Sequence, residues 1–263
     1  MSGVTGHTAV SAMRRPRLAA PTSPQKNELF PTPPWATRAL FEHVLPIVGA
    51  DMRYRVLWDC CAGLGHMSAV LGEYSERVCA TDITHFDLDG GGNTADLGIE
   101  LFDFLGEYDG LKVDWIITNP PFLSAELFLE PALRAARRGV AFLERLQWLE
   151  TAGRYERVFR KHPPLIAPFS ERVPICLGGY DPKGSTATAY AWFVWAKNCN
   201  GYLAGPISST ATLQTFLIPP GRAKALFKPS DLGLAKRCVP GWTTAKEYRD
   251  HPRNLIKAGE NNG

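Results

Sequence analysis

Apolar residues in this chain come in short unbroken runs, separated by stretches in which they recur every three or four positions. The runs at residues 55–61, 77–82, 113–118 and 140–144 are bounded by polar or glycine-containing segments, as buried strands are. Between them, residues 67–73 and 125–137 carry helical spacing. Ahead of the first run, Thr32 precedes Pro33 and Pro34, and Leu40, Phe41, Val44 and Leu45 then share one face, which predicts a helix with Thr32 as its N-cap. Strands alternating with helices predict an α/β fold with a parallel, doubly wound sheet. A further helix is expected near residues 154–161. Beyond it the texture changes. Residues 165–175 and 187–196 predict two strands joined by a loop at 177–185, an antiparallel hairpin at the sheet edge. The remainder from residue 198 is loop-rich, with one strand candidate at 213–218, and no internal repeat is visible.

Composition adds little to this picture, and charge adds more. The 263 residues are 45% hydrophobic and 21% charged, enough to bury one core. The longest apolar run, 189–196, is too short to cross a bilayer, and the region of Arg14, Arg15 and Arg17 lacks a signal peptide's apolar stretch. A cytoplasmic protein without a membrane span is therefore expected. The six cysteines show no Cys-x-x-Cys pairing and no histidine at ligand spacing, so no metal is expected. The net charge of +3 hides a polarity: residues 1–26 carry four basic residues and no acidic one, and residues 198–263 carry nine basic against four acidic. The middle is acidic and the ends are basic. This divides the chain into a flexible basic leader (1–26), a folded domain (27–200) and a small basic, loop-rich extension (201–263).

Four sites carry candidate chemistry, three of them at strand ends. After the first strand, Asp59-Cys-Cys-Ala62-Gly63-Leu-Gly65 leads into a helix, and glycines there let a ligand approach the backbone while Asp59 can accept from an ammonium group. Asp82, followed by Ile83, ends the next strand 23 residues later, at the place where a carboxylate grips ribose hydroxyls. Asp103 and Phe104 offer an acid for an amino group and a ring for a base. Most specific is Asn119-Pro120-Pro121-Phe122 at the end of the fourth run. There a side-chain amide oxygen and a fixed prolyl carbonyl can each accept from one NH₂ group. Holding both hydrogens turns the nitrogen lone pair out of conjugation, while the Phe122 ring stacks on the base.

The segment Asn119–Phe122, with Asp59–Gly65, Asp82 and Asp103 in this order, resembles the Asn-Pro-Pro-aromatic motif set of class I amino-methyltransferases. The resemblance covers roughly residues 28–197. It implies a Rossmann-like class I methyltransferase fold, a mostly parallel seven-stranded sheet with an antiparallel edge hairpin, and S-adenosyl-L-methionine as cofactor. Residues 30–40, containing Thr32, Pro33 and Trp35, look like the N-terminal cofactor motif of DNA amino-methyltransferases. The segments 172–175 and 181–195 look like the late strands of enzymes encoded by phages and prophages. With Asn before Pro-Pro, the resemblance implies N6 of adenine in DNA as target, with N4 of cytosine, an RNA base or a glutamine side chain as alternatives. A nucleic-acid-binding module that keeps the fold without the activity is the rival from another class. Extruding a base from a duplex needs compensating contacts, for which Arg154, Arg157, Arg160, Lys161 and Lys183 are the candidates, with residues 201–263 also placed to contact DNA.

Overall fold

A computed structural model describes residues 28–52, 55–106, 111–197 and 213–250; the expected leader lies outside the described residues, as do parts of the expected C-terminal extension. Helix α1, Pro34–Ala39, continues through two tighter and wider turns to Val48. Strand β1 is Val56–Asp59, helix α2 His66–Tyr74, strand β2 Arg77–Asp82 and strand β3 Glu100–Leu101. Strand β4, Val113–Thr118, is followed by helix α3, Ala125–Ala135, and strand β5, Ala136–Arg145. Strands β6 (Leu165–Pro168), β7 (Tyr190–Ala196) and β8 (Gln214–Thr215) and helix α4 (Asp231–Ala235) complete the frame.

The strands form one sheet in the order β3-β2-β1-β4-β5-β7-β6-β8. The first five are parallel, whereas β7 runs antiparallel to both β5 and β6. This is the Rossmann-like class I arrangement expected, with two differences. The sheet has eight strands rather than seven, because Gln214–Thr215 pairs with β6 and makes the hairpin internal instead of terminal. Strand β3 is only two exposed residues long and carries no periodic signal.

Period-two alternation divides the core between the two faces of the sheet. On β5, Ala141 and Leu143 face α1 and α2, while Val140 and Phe142 face α3. Both faces are covered, which is why the strands read as unbroken apolar runs. The indoles of Trp192 and Trp195 are fully buried and satisfied, Nε1 of the first donating to Ala36 O at 3.0 Å and that of the second to His162 O at 2.7 Å.

Three local expectations change. Strand β5 begins at Ala136, directly after α3, because the polar stretch Ala136–Arg138 pairs in the sheet although it has no apolar run. Gly139 is required there: a Cβ would collide with the Trp115 ring on β4. Thr32 does not cap α1, whose N-cap is Pro33 without a side-chain bond; the Thr32 hydroxyl is engaged elsewhere. The expected helix at 154–161 is a single turn of α-helix and a wide turn ending at Phe159.

Residues 226–242 pack on the domain. Arg38 on α1, buried to 1% exposure, donates to both oxygens of the fully buried Asp231 at 2.7 and 2.8 Å and to Glu73 at 2.6 and 2.8 Å. Val239 N donates to Gly178 O at 2.9 Å, and Gly178 N to Leu29 O at 2.8 Å, which ties the C-terminal segment to the chain ahead of α1.

Candidate functional site

The carboxyl ends of β1, β2 and β4 meet at one edge of the sheet, where ligands bind in folds of this kind. Thr118, the last residue of β4, joins its neighbours: its hydroxyl donates to Asp59 Oδ1 at 2.8 Å and accepts from Cys61 N at 3.2 Å. These bonds set the Pro-Pro turn beside the glycine turn.

Asp59 is buried, and its second oxygen accepts from Ser68 at 2.7 Å. Burial pushes its pKa up to about 6 against these hydrogen bonds. Both oxygens thus brace the strand tips, a use that sequence reading, which offered the group to an ammonium, did not see. In the turn, Gly63 and Gly65 have φ of 54° and 75°, a region that favours glycine. A Cβ on Gly63 would lie 2.9 Å from the Leu29 side chain. Ala62 N donates to Thr81 O at 2.9 Å, holding the turn against β2.

Asp82 stands at the tip of β2, 8% exposed, and accepts from Gly63 N at 2.8 Å. Burial raises its pKa to about 6 as well, the bond from Gly63 opposing the rise. Ile83, next in the chain, is half-buried. Asp103 is also half-buried and accepts from Leu105 N at 3.0 Å. Trp35 and Phe104, both read as cofactor contacts, lie in the core: Trp35 meets Phe169 edge-on at 5.5 Å, and Phe104 packs between Trp58 and Phe128 at 5.1 and 5.6 Å.

Asn119 follows β4. Its amide nitrogen donates to Phe30 O at 2.9 Å and Thr32 Oγ1 at 3.2 Å, and its Oδ1 is buried without a partner among the described residues. A carbonyl oxygen can only accept, so the bond to Phe30 settles which way the amide faces. Pro120, next in the chain, is buried and Pro121 half-buried, and Pro33, which follows Thr32, is buried as well. The ring of Phe122 lies 5.4 Å from that of Phe30 and 6.0 Å from that of Tyr190. Over its face, 4.3 Å from the centroid, sits the guanidinium of Arg145, the last residue of β5. Sequence reading missed Arg145 and Tyr190, which carry no motif of their own.

Of the cations expected to meet nucleic acid, three are paired within the protein. Arg154 donates to Trp148 O at 2.7 Å, Arg157 lies 3.0 Å from Glu126, and Arg160 lies 3.1 Å from Glu156. Lys161 and Lys183 are exposed. Glu144 points to the opposite face of β5 from Arg145, buried, with neither oxygen partnered in a hydrogen bond among the described residues; burial pushes its pKa well above the usual carboxylate range, with Arg154 opposing the rise. His66, fully buried at the start of α2, is pushed down to about 3 by burial and by Arg237, and stays neutral.

No family model and no curated protein matches the chain. Among solved structures it is similar to a protein provisionally described as an RNA methyltransferase from Pyrococcus horikoshii, at 16% identity over 73% of this chain and 94% of that one, with a TM-score of 0.47. It is also similar to the M protein of the type I restriction enzyme EcoKI, at 14% identity over 76% of this chain and 51% of that one, with a TM-score of 0.46. A third is a 23S rRNA methyltransferase, ErmE, at 14% identity over 66% and 70%, with a TM-score of 0.39. Similarity of this degree does not extend to substrate or activity. Among the described residues no cluster of His, Cys, Asp and Glu could hold a metal ion, and no helix is long and apolar enough to cross a membrane.

Proposed function

We propose that this protein is an S-adenosylmethionine-dependent methyltransferase acting on the exocyclic amine of a DNA base, N6 of adenine. The observation that carries the reading is the Asn119 amide: its nitrogen is tied down by Phe30 and Thr32, and its buried oxygen is left to accept from an incoming N–H. A buried acceptor without a donor is costly unless something arrives to fill it.

The residues present fit the cofactor. Asp82 would accept from the ribose hydroxyls, the turn Ala62–Gly65 would lie along the amino-acid end, and Ile83 and Asp103 would line the adenine side. When bound, S-adenosylmethionine supplies a methyl group on a positively charged sulfur. The protein's own part is orientation. Asn119 Oδ1 and the Pro120 carbonyl accept the two amine hydrogens, Phe122 holds the plane of the base, and Pro121 keeps the turn rigid. Asp59 and Thr118 keep that turn in register with the glycines. Residues 27–200 are the catalytic unit in this reading, with Lys161, Lys183 and the basic C-terminal region meeting phosphates. DNA is preferred over RNA or protein because of the resemblance of residues 30–40, 172–175 and 181–195 to DNA-modifying enzymes.

The deciding experiment incubates the protein with methyl-labelled cofactor and, separately, DNA, RNA and cell protein. Label in DNA as N6-methyladenine is expected; label confined to RNA or protein overturns the DNA reading, and label nowhere favours a binding module. A second expectation concerns pH. A carboxylate grips hydroxyls by accepting from them, and Asp82 takes up a proton as pH falls through about 6. Affinity for S-adenosylhomocysteine, measured by calorimetry, should therefore fall on acidification through that range. In Asp82→Asn it should be weaker at neutral pH and flatter with pH; an unchanged affinity would remove Asp82 from the ribose.

A further inference from the structure

Arg237 lies between two anchors of the C-terminal segment. Ahead of it Asp231 is bonded to Arg38; after it Cys238 O accepts from Asp89 N at 2.8 Å and Val239 N donates to Gly178 O. Its own backbone N donates to Leu234 O at 2.9 Å. So held, its guanidinium reaches the glycine turn: a Cβ on Gly65 would stand 3.7 Å from Arg237 Nη1. The side chains sharing that approach, Ile99 and Leu97, are apolar, and His66 beside them is neutral. None of the ion pairs among the described residues includes Arg237. Burial lowers its pKa and no carboxylate counters the effect. A guanidinium stays charged at any ordinary pH, so a half-buried one without an acid beside it is stabilised by an anion that arrives.

The proposed reaction brings one such group to this turn. S-adenosylmethionine carries a sulfonium, an ammonium, a neutral ribose and a neutral adenine, and its carboxylate is its single negative charge. We infer that Arg237 binds the carboxylate at the cofactor's amino-acid end, which makes the docked segment 226–242 one wall of the cofactor site. The inference rests on the proposed function and deepens it. Guanidinium and carboxylate match in plane and spacing, and Arg237 supplies a positive charge that the turn Ala62–Gly65 lacks. The buried pair of Arg38 and Asp231 then serves the site, because it docks the segment that carries Arg237. A DNA phosphate is the competing anion. Arg237, half-buried at the glycine turn, is placed for the smaller ligand, whereas Lys161 and Lys183 are exposed.

The test is calorimetric and needs no turnover. S-adenosylhomocysteine is compared with its decarboxylated analogue, in which hydrogen replaces the carboxylate while the ammonium, sulfur, ribose and adenine stay. Wild-type protein should bind the analogue about tenfold to a hundredfold more weakly, the range expected for losing a hydrogen bond to a charged partner. In Arg237→Met, which keeps the apolar stem, the two affinities should become nearly equal. Arg237→Lys keeps the charge without the planar fork and should retain part of the preference. Both ligands bind the same folded fraction, so their ratio is unaffected by a loss of stability in a variant. An undiminished preference in Arg237→Met, or no preference in the wild type while it binds S-adenosylhomocysteine, overturns the role of Arg237 and leaves the proposed function standing. An undiminished preference together with weaker DNA binding also overturns it, and assigns Arg237 to a phosphate. Failure of the wild type to bind either ligand overturns the proposed function and this inference with it.

Discussion

Asn119→Ala should lower kcat by about a hundredfold to a thousandfold, the loss seen when one preorganised hydrogen-bonding group facing developing charge is removed. The amine nitrogen becomes more positive as it attacks, so an oxygen accepting from its N–H is worth more in the transition state than in the bound substrate. Binding of S-adenosylhomocysteine should stay within an order of magnitude, because Asn119 is anchored to Phe30 and Thr32 and Asp82 stands on a different strand. Rate and affinity are separated by measuring kcat and the calorimetric affinity on one preparation. Equal loss of both would show Asn119 holding the cofactor side of the pocket, and the amine trap would have to be abandoned. Thr32→Val offers a graded companion: it removes one of two acceptors fixing the amide, so a smaller loss in kcat is expected.

The largest effect on stability is expected at Asp231, far from the proposed chemistry in sequence. Its carboxylate is fully buried against the guanidinium of Arg38, which is itself 1% exposed. Removing one partner of a buried pair leaves an uncompensated charge, which costs about 3–5 kcal/mol. Because Glu73 still holds the other side of Arg38, Asp231→Ala should fall near the lower end, about 3 kcal/mol, read as a shift in the denaturation midpoint at constant slope. The double variant Arg38→Met with Asp231→Leu should lose less than the single one, since it buries no charge. A midpoint unmoved by Asp231→Ala would mean that residues 226–242 do not stay docked on α1 in solution. The same pair explains why a basic C-terminal region can belong to the fold: its buried Asp231 meets a buried arginine 193 residues earlier.

Much of the frame was legible in the order of residues. Runs of apolar side chains fall on β1, β2, β4, β5 and β7 because both faces of the sheet are covered where these runs lie, so their apolar residues do not alternate with polar ones. The turn glycines and the Asn-Pro-Pro-Phe segment announced themselves because backbone angles and fixed carbonyls demand particular residue types. Strand β3 and the start of β5 did not, since exposed or charged residues there pair through their backbones, which leave no mark on side-chain pattern.

What the linear order determined by itself is local: which stretches extend, where the chain must bend, and which side chains are chemically able to accept from an amine or a ribose. What the tertiary structure alone decided is which of these able groups are already engaged. Asp59 is occupied by Ser68 and Thr118, Thr32 holds an amide instead of capping a helix, and Arg154, Arg157 and Arg160 are held within the protein. Arg145 and Asn119 keep one buried polar atom each unmet. Hydrogen-bond satisfaction depends on partners brought together across tens of residues, and no spacing rule along the chain records that.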